Sequence, residues 1–331
     1  MPEPINSSLS QVNDIKDFSI IIASWNAKVH IDRCLHSIFS SPISPSLEVI
    51  VVDNNSSDGS VDLIETKYPQ VMLVKNTSNL GFGKANNIGI RLSKGKFLCL
   101  INSDVEVLPG SIEKMIAYLN NNPSIGMLGP KIVGPTGTVQ RSCMGFPTLA
   151  NVFYHAVCLD SLFPYSKRFG RQLMTYWKHD RISDVDIING CFWVVRREAL
   201  ETVGLLDEQF FMYGEDMDWC KRFWKAGWRV TFFSEAKAIH YGGASSSNSP
   251  IRFYLEMHRA NLAYWKKHHG PVSQVFYRSL LVIRHIIRII IHSLRLVVSS
   301  KRSESIHKIK RSAVCISFLL KPIRPALVEK S

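Results

Sequence analysis

The sequence predicts an α/β fold in which a mostly parallel central sheet is flanked by helices and followed by a basic amphipathic helical extension. Three observations support this prediction. Apolar runs of strand length alternate with stretches of helical periodicity in the first hundred residues, which is typical of βαβ units. Each apolar run ends in polar or small residues, and the excess of positive charge lies almost entirely after residue 265.

Four strands are predicted in the first third of the chain, at Phe18 to Ala23, Leu47 to Val52, Val71 to Val74 and Phe97 to Ile101. The last of these is a run of five apolar residues, which indicates a strand that is buried on both faces. Helical spacing of apolar residues from Val29 to Phe39 predicts the first intervening helix. Because the carboxyl ends of parallel strands meet at one edge of a sheet, the loops after these strands are expected to converge on a binding crevice.

The remainder of the domain is less regular in sequence. From Thr138 to Asp184 there is no sustained periodicity, so we expect an irregular excursion over the active-site face. Regular structure is expected again from Val185 to Val195, in a helix from Glu215 to Ala226 that Gly227 ends, and in a strand from Trp228 to Phe233. A boundary is expected between Ser245 and Pro250.

The formal net charge of +13 is located in the carboxyl-terminal part of the chain. From Lys266 to Ser331 there are 14 Lys and Arg residues and two acidic residues, which leaves a balance of only +1 for the preceding 265 residues. This distribution argues against nucleic-acid binding by the main domain and favours an anionic surface as a partner of the tail.

The seven cysteines are scattered and include no C-x-x-C pair, which is typical of neither a disulfide framework nor a cysteine-rich zinc site. Residues 1–17 are polar and lack the apolar core of a signal peptide. We therefore expect a cytoplasmic protein that is peripheral on the inner face of the cell membrane.

Asp104 belongs to a short acidic turn directly after the fourth predicted strand. A carboxylate at this position can hold a divalent cation against a phosphate, although a turn or helix-capping role explains such a residue equally well. The run from Asp53 to Ser60 has the same ambiguity: it suits a tight turn with a helix cap, and Asp53 and Asn54 could also contact a base or ribose.

The sequence Gly81-Phe82-Gly83 begins like a dinucleotide-binding fingerprint, but Asn86 occupies the position of its third glycine. The motif also follows the third strand instead of the first, so a nicotinamide-dependent dehydrogenase is not expected. Either a plain glycine-rich helix start or a loop that approaches a ribose or phosphate fits this segment.

Three carboxylates, Glu215, Asp216 and Asp218, occur in the first turn of a predicted helix. The helix dipole favours negative charge there, and the preceding apolar residues suggest the wall of a site in which a carboxylate accepts a proton from a hydroxyl group. His240 follows a predicted strand and either packs as a structural residue or completes the coordination of a cation.

The ordered segments SIIIASWN, VIVVDNNSSDGS, NLGFGKANNIGI, FLCLINSDVEV, GCFWVVRREALETVGLLDEQFFMYGEDMDWCKR and IHYGGAS resemble those of inverting family 2 glycosyltransferases. Among these, the chain is most similar to the rhamnosyltransferase-type enzymes of bacterial surface polysaccharide assembly. The resemblance covers roughly residues 17–250. It implies a GT-A fold, a nucleotide-diphosphate sugar donor and a divalent cation, Mg²⁺ or Mn²⁺.

The resemblance also implies a set of site residues. Asp216 corresponds to the catalytic base, with Glu215 beside it, and Asp104 and His240 correspond to the metal site. Asn102 stands where the family has the first Asp of its D-x-D motif, which leaves Asp104 as the direct ligand. The expected nucleotide-sugar contacts are Ser24, Trp25, Asn26, Asp53, Asn54, Gly81, Lys84, Asn87, Asn102 and Ser103. Asp218 and Trp193 are expected on the acceptor side.

Taken with the resemblance, the sequence predicts transfer of one sugar to a lipid-linked (polyprenyl diphosphate) saccharide in O-antigen or cell-surface polysaccharide synthesis. The sugar implied by the resemblance is L-rhamnose from dTDP-rhamnose. Absence of the Q-x-x-R-W motif of processive synthases indicates a single transfer per encounter. The alternatives are a nucleotidyltransferase on a related sheet and a non-catalytic membrane adaptor of an assembly complex.

The predicted organisation is a polar segment (1–16), a GT-A catalytic domain (17–250) and a basic, helical, membrane-associating region (251–331). In that last region Arg284, Arg288, His292 and Arg295 fall on one helical stripe, and Leu280, Ile283, Ile287, Ile290, Ile291, Leu294 and Val298 fall on the other side. This pattern predicts either a helix that lies in the headgroup plane of an anionic bilayer or a helix that covers the catalytic core.

Overall fold

The computed structural model describes residues 17–40, 47–242, 250–297 and 302–322. The strands are β1 (Phe18–Ser24), β2 (Leu47–Asp53), β3 (Met72–Lys75), β4 (Phe97–Ile101), β5 (Val105–Val107), β6 (Ile125–Val133), β7 (Cys143–Met144), β8 (Ser183–Asp184), β9 (Ile187–Ile188), β10 (Phe192–Arg196) and β11 (Arg229–His240). The helices are α1 (Lys28–Phe39), α2 (Ser60–Lys67), α3 (Phe82–Leu92), α4 (Ser111–Asn121), α5 (Leu149–Ala156), α6 (Leu159–Leu162), α7 (Arg197–Val203), α8 (Glu215–Lys225), α9 (Pro250–Leu294) and α10 (Arg302–Leu320).

One large sheet organises the domain, with the strand order β3-β2-β1-β4-β10-β6-β11-β5 and with β8 paired to β11. Strands β3, β2, β1 and β4 run parallel, whereas β10 is antiparallel to both of its neighbours, β4 and β6. Strand β11 is parallel to β6. The predicted α/β class with a mostly parallel sheet is therefore confirmed, and the ends of β1, β2 and β4 meet at one edge.

The alternation of side chains along β1 explains why this strand is apolar throughout. Ile20 and Ile22 pack against Leu35 of α1 on one face of the sheet, whereas Ile21 packs with Ile90 of α3 on the other face. Helices therefore cover both faces, and every central strand must be apolar on both sides.

The segment from Thr138 to Asp184, expected to be irregular, contains two short helices, α5 and α6, and two short strands, β7 and β8. The Thr148 hydroxyl begins α5 by accepting a hydrogen bond from the Asn151 N–H at 3.2 Å. At eight residues, α5 is too short for a helical period to be recognised in the sequence, and it is held by packing on α9.

The carboxyl-terminal region is helical, as predicted, and the predicted boundary from Ser245 onward lies mostly in residues 243–249, outside the described part of the chain. Helix α9 contains a break at Gly270, which has a φ of 80°, followed by Pro271. Before the break, Tyr264 and Trp265 are buried against the domain, and after it the helix packs on α10. None of the described helices combines the length and hydropathy that crossing a bilayer requires.

The second part of α9 is amphipathic, as predicted, but most of its basic side is turned inward: Arg284 and Arg288 are half-buried, and Arg295, directly after the helix, is exposed. His285 and His292 are buried on the side of the helix that carries the arginines. The outward side is apolar, with Ile283, Ile286, Ile290 and Leu294 exposed to 45%, 45%, 55% and 71%. Because α10 packs against the other side, the apolar stripe is the surface that remains accessible.

Asp218 is the residue that attaches α9 to α8, and this corrects its expected place on the acceptor side. Its carboxylate is fully buried, with Oδ1 at 2.6 Å from Lys267 Nζ and 2.7 Å from His268 Nε2, and with Oδ2 at 2.8 Å from Arg222 Nε. Burial opposes ionisation, but these contacts outweigh it and lower the pKa of Asp218 to about 2. Every oxygen is occupied by a protein cation, so Asp218 has no capacity left for a substrate.

We expect Asp218→Asn to lower the free energy of unfolding by about 3 kcal/mol at neutral pH, because it leaves several cations without their buried anion. The matched control is Asp207→Asn, which removes the second partner of Lys267 at a more exposed position and should cost about 1 kcal/mol or less. Denaturant unfolding of both variants tests this, and equal losses would contradict the anchoring role.

Candidate active site

A cleft of about 240 Å³ opens at the edge where β1, β2 and β4 end. Its walls come from eight separate segments of the chain. The lining residues are Ala23, Ser24, Trp25, Asn54, Asn79, Gly81, Phe82, Asn102, Ser103, Asp104, Asn189, Gly190, Phe211, Met212, Tyr213, Glu215, Asp216, His240 and Phe253. The cleft therefore brings together both residues of the predicted metal site and both predicted catalytic carboxylates.

Asp104 and His240 face each other, with Oδ1 of the carboxylate 3.3 Å from Nε2 of the imidazole. Gln140 determines which imidazole nitrogen carries the proton. Its Nε2 donates to the His240 carbonyl at 2.8 Å, so its Oε1 is the atom that lies 3.0 Å from His240 Nδ1 and accepts from it. In the neutral imidazole, Nε2 therefore presents a lone pair to the Asp104 oxygen.

Two lone pairs at this distance need a proton or a cation between them. Burial raises the pKa of Asp104, but a proton on His240 Nε2 that is donated to the carboxylate outweighs burial and lowers it. A divalent cation can take the place of that proton. The buried Oδ1 of Asn102 in the same cleft has no hydrogen-bond partner. Carboxylate, imidazole and amide oxygen are suitable ligands for a divalent cation, and Gln140 supplies the outer support that metal-binding histidines usually have. These residues fit the cation that the sequence resemblance implies.

Glu215 and Asp216 begin α8 directly after a sharp turn. Tyr213 and Gly214 have φ values of 66° and 79°, so both adopt the left-handed conformation, and the turn directs the first residues of α8 into the cleft. Asp216 Oδ1 accepts from the Met217 N–H at 2.8 Å, whereas Glu215 Oε2 is buried without a partner.

Burial raises the pKa of both carboxyl groups. The pKa of Asp216 rises to about 6, and that of Glu215 lies well above its ordinary value because burial is reinforced by the neighbouring charge of Asp216. A pKa of about 6 leaves Asp216 largely ionised at neutral pH and lies close to the value that suits a general base.

Ser24 ends β1, Trp25 follows it, and Asn54 follows β2, and all three line the cleft. The Ser24 hydroxyl oxygen is buried without a hydrogen-bond partner. The Asn54 side chain is held in place, because its Nδ2 donates to the Gly81 carbonyl at 3.2 Å and its Oδ1 accepts from Asn76 Nδ2 at 3.0 Å. A polar pocket wall with one unpaired hydroxyl is available for a ligand here.

Gly81 is required by a close approach between two loops. A Cβ atom at this position would lie 2.3 Å from the Phe211 carbonyl oxygen, and φ is 84°. The adjacent Phe82 N–H donates to that same carbonyl at 2.7 Å. The glycine thus fixes the loop before α3 against the loop before α8.

Four predicted nucleotide contacts do not line the cleft. Asn26 Oδ1 accepts from the Ser57 N–H at 2.8 Å, and Asp53 Oδ2 accepts from the Ser56 N–H at 2.8 Å, so both support the turn after β2. Lys84 is exposed on α3. The buried Asn87 amide donates to the Leu206 carbonyl at 2.9 Å and accepts from its N–H at 3.0 Å, so a ligand contact by Asn87 is excluded by these bonds.

Trp193 is also corrected, because it is a core residue and not an acceptor contact. It is 0% exposed, packs edge-on against Trp219 with ring centroids 5.3 Å apart, and donates from Nε1 to the Ile188 carbonyl at 3.1 Å. The residues that it supports, such as Gly190, line the cleft in its place.

A second cavity of about 320 Å³ adjoins the cleft and was not foreseen from the sequence. Its lining residues are Trp25, Asn79, Phe211, Ile251, Arg252, Phe253, Leu255, Glu256 and Arg259, of which Trp25, Asn79, Phe211 and Phe253 are shared with the cleft. The first turns of α9 form one wall. No motif could reveal these residues, because they reach the site only through the docking of α9.

The family model described as glycosyl transferase family 2 matches residues 19–204. A Mycobacterium tuberculosis protein named N-acetylglucosaminyl-diphospho-decaprenol L-rhamnosyltransferase is 29% identical over 266 residues, which cover 76% of this chain and 84% of that protein. The dTDP-rhamnosyl transferase RfbF of Shigella flexneri is 26% identical over 293 residues, which cover 85% of this chain and 88% of that protein.

Among solved structures, the mannosyltransferase PcManGT of Pyrobaculum calidifontis, in complex with GDP-Man and Mn²⁺, superposes with a TM-score of 0.52 at 14% identity, over 93% of this chain and 88% of that one. GalNAc-T7 with UDP, GalNAc and Mn²⁺ gives a TM-score of 0.53 at 14% identity, over 80% of this chain and 55% of that one. At these identities the likeness establishes the fold, which is GT-A.

The geometry predicts that Asp104→Asn abolishes Mn²⁺ binding in the cleft and that Gln140→Leu weakens it about 10–100-fold, since the leucine no longer fixes the His240 tautomer. Isothermal titration with Mn²⁺ measures both. Glu106→Gln is the matched control, because Glu106 lies two residues from Asp104 but bonds to the Tyr241 hydroxyl outside the cleft. Unchanged Mn²⁺ affinity in Gln140→Leu would contradict the role given to that amide.

Proposed function

The chain belongs to glycosyl transferase family 2, and we propose that it transfers a single L-rhamnose from dTDP-rhamnose, with inversion, to a lipid-linked saccharide in O-antigen or cell-surface polysaccharide synthesis. The protein is a glycosyltransferase; the donor sugar, the acceptor and the process are the proposed part. The observation that carries the proposal is that Asp216 and the Asp104–His240 pair line one cleft. The names of the relatives from M. tuberculosis and S. flexneri support the choice of donor and acceptor.

Asp216 is the base in this proposal. Its carboxylate accepts the proton of the acceptor hydroxyl while that oxygen attacks the anomeric carbon from the face opposite to the leaving diphosphate. One displacement of this kind inverts the anomeric configuration, and positioned general bases of this kind contribute about 10²–10⁴-fold to the rate.

Asp104, His240 and Asn102 would hold the divalent cation, which supplies neutralisation of the charge on the leaving diphosphate when it is bound. Gln140 keeps the neutral His240 in the required tautomer, with the lone pair of Nε2 directed to the same point as Asp104 Oδ1. We assign Ser24, Trp25 and Asn54 to the nucleotide, because they lie at the ends of β1 and β2 on the wall away from α8.

We assign the second cavity to the lipid-linked acceptor. Its walls combine apolar side chains, Ile251, Phe253 and Leu255, with the guanidinium groups of Arg252 and Arg259. Apolar walls suit the first isoprene units, and guanidinium groups suit a diphosphate. Glu256 forms an ion pair with Arg259, which partly neutralises the positive charge of that guanidinium group.

The exposed apolar stripe of α9 is assigned to the membrane that holds such an acceptor. Residues Ile283, Ile286, Ile290 and Leu294 repeat every three or four positions and form one outward stripe. Exposed Arg302, Lys310 and Lys321 on and next to α10 supply positive charge for anionic headgroups. This assignment keeps the expected location on the inner face of the cell membrane, with the apolar stripe of α9 as the inserted surface.

The proposal predicts that, among dTDP-rhamnose, UDP-GlcNAc, UDP-galactose and GDP-mannose, the first gives the highest kcat/KM with a polyprenyl diphosphate-linked GlcNAc acceptor. Product analysis by mass spectrometry and NMR should show one added residue with inverted configuration. Preference for another donor would contradict the rhamnose assignment, and nucleotidyl transfer without glycosidic product would contradict the reaction itself.

The raised pKa of Asp216 predicts an acidic limb in kcat/KM, which falls tenfold per pH unit below a pKa of about 6, because protonation removes the base from the free enzyme. Circular dichroism across the same pH range serves as the control for unfolding. A limb near pH 4, the ordinary value for an aspartate, would contradict the proposed environment of this carboxyl group.

The membrane assignment predicts that Ile286→Asp and Ile290→Asp each weaken binding to phosphatidylglycerol-containing vesicles about tenfold. Each variant puts a charge in place of an aliphatic side chain that the proposal inserts into the bilayer. Vesicle co-sedimentation of the full chain measures the binding. Val139→Asp is the control, because Val139 is similarly exposed, at 43%, but lies on the catalytic domain. Equal binding by all three variants would overturn the assignment.

A further inference from the structure

Three buried side chains from three helical segments meet at a point that the transfer reaction does not use. His258 lies in α9 before the break at Gly270, His285 lies in α9 after it, and Cys315 lies in α10. Their Nε2, Nδ1 or Sγ atoms include one set that lies within 4.8 Å of one another. All three residues are at most 2% exposed.

The two imidazoles are arranged like ligands of one ion. Their Nε2 atoms are 3.2 Å apart. A tetrahedral zinc ion with Zn–N bonds of about 2.0–2.1 Å holds two imidazole nitrogens about 3.3 Å apart, so the observed separation fits such an ion without movement of the backbone. Two imidazoles and one thiolate leave a fourth position for water or another ligand.

A simple hydrogen bond between the two histidines accounts for their distance but not for the third residue. In that arrangement one Nε2 donates and the other accepts, and the Cys315 thiol has no reason to lie beside them. Both Nδ1 atoms are buried without a partner under either interpretation. The convergence of Cys315 on the histidine pair is therefore the observation that distinguishes a metal site from a hydrogen bond.

The charges around the cluster are compatible with a thiolate-bound cation. Burial and the nearby arginines lower the pKa of His258 to about 3 and that of His285 to about 4, so both rings are neutral and keep a lone pair. Burial raises the pKa of Cys315 to about 11, whereas Arg311 and Arg288 act in the opposite direction and favour the thiolate. The thiolate charge in turn offsets one of the two positive charges of the ion among these arginines.

We propose that His258, His285 and Cys315 form a structural site for a borderline-soft divalent ion, with Zn²⁺ as the best match. Binding displaces the thiol proton to solvent and forms one Zn–S and two Zn–N bonds. The ion connects α10 and the second part of α9 to the first part of α9, whose initial turns line the second cavity. This proposal is independent of the donor and acceptor assignments.

Co²⁺ is the spectroscopic probe for this site, added to the full chain in the presence of excess Mg²⁺. We expect one equivalent to produce a sulfur-to-cobalt charge-transfer absorption in the near ultraviolet together with tetrahedral d–d bands, and we expect Zn²⁺ to abolish both and to raise the Tm by several degrees. The charge-transfer absorption identifies this site, because Asp104 and His240 contribute no sulfur.

Cys315→Ser should lose the charge-transfer absorption and the Zn²⁺-dependent rise in Tm, and His285→Gln should weaken Co²⁺ binding at least tenfold. Cys158→Ser and Asp104→Asn are the matched controls and should retain the absorption. A wild-type chain that shows no charge-transfer absorption with excess Co²⁺ would overturn the proposal and leave a histidine–histidine hydrogen bond; this result does not require any variant to fold.

Discussion

The contact between the loop before α3 and the loop before α8 is the constraint on which the rest of the site depends. The Phe211 carbonyl accepts from the Phe82 N–H at 2.7 Å, and Gly81 permits this approach because any Cβ would lie 2.3 Å from that oxygen. One loop carries Gly81, which lines the cleft, and the other leads directly into Glu215 and Asp216. A shift of either loop would change the distance between Asp216 and the wall that Gly81 lines, and the rate of a bond-forming step depends steeply on such distances.

Within this frame, the fold gives neighbouring carboxyl groups opposite properties. The pKa of Asp104 is lowered despite burial, which suits a ligand of a cation, whereas burial raises the pKa of Asp216 into the range of a useful base. The pKa of Glu215, one residue away, also lies well above its ordinary value because of burial and the charge of Asp216. The surroundings of each carboxyl group, and not its residue type, determine its pKa, which is a general feature of acid–base sites.

The sequence was sufficient for those parts of the molecule that depend on local pattern. The buried strands and the helices between them could be read from apolar runs and periodicity, and the strand ends placed Asp104 and Asn54 at a common edge. Features that depend on contacts between segments remote in sequence could not be predicted. Asp218 looked like another site carboxylate until Lys267 and His268 of α9 were seen to surround it. Gln140, 100 residues from His240, and the trio His258, His285 and Cys315 carry no motif at all.

The packing of α9 and α10 is another feature that the sequence pattern could not predict. Periodicity correctly separated the basic side from the apolar side of α9, but a pattern in one helix does not say which side another helix will cover. In the structure α10 covers the basic side, so the apolar stripe is exposed. That arrangement places an apolar surface on the same helix that lines the second cavity, which connects the proposed membrane contact to the proposed acceptor site.

The central claim is that Asp216 is the base of a single inverting displacement, and the variant Asp216→Asn tests it most directly. Transfer turnover and donor affinity should be measured on the same preparation, turnover by product formation and affinity by calorimetry with dTDP-rhamnose. The account predicts a loss of turnover of about 10²–10⁴-fold with donor affinity changed less than about twofold. Retention of more than a few per cent of wild-type turnover, or a parallel loss of donor affinity, would contradict it.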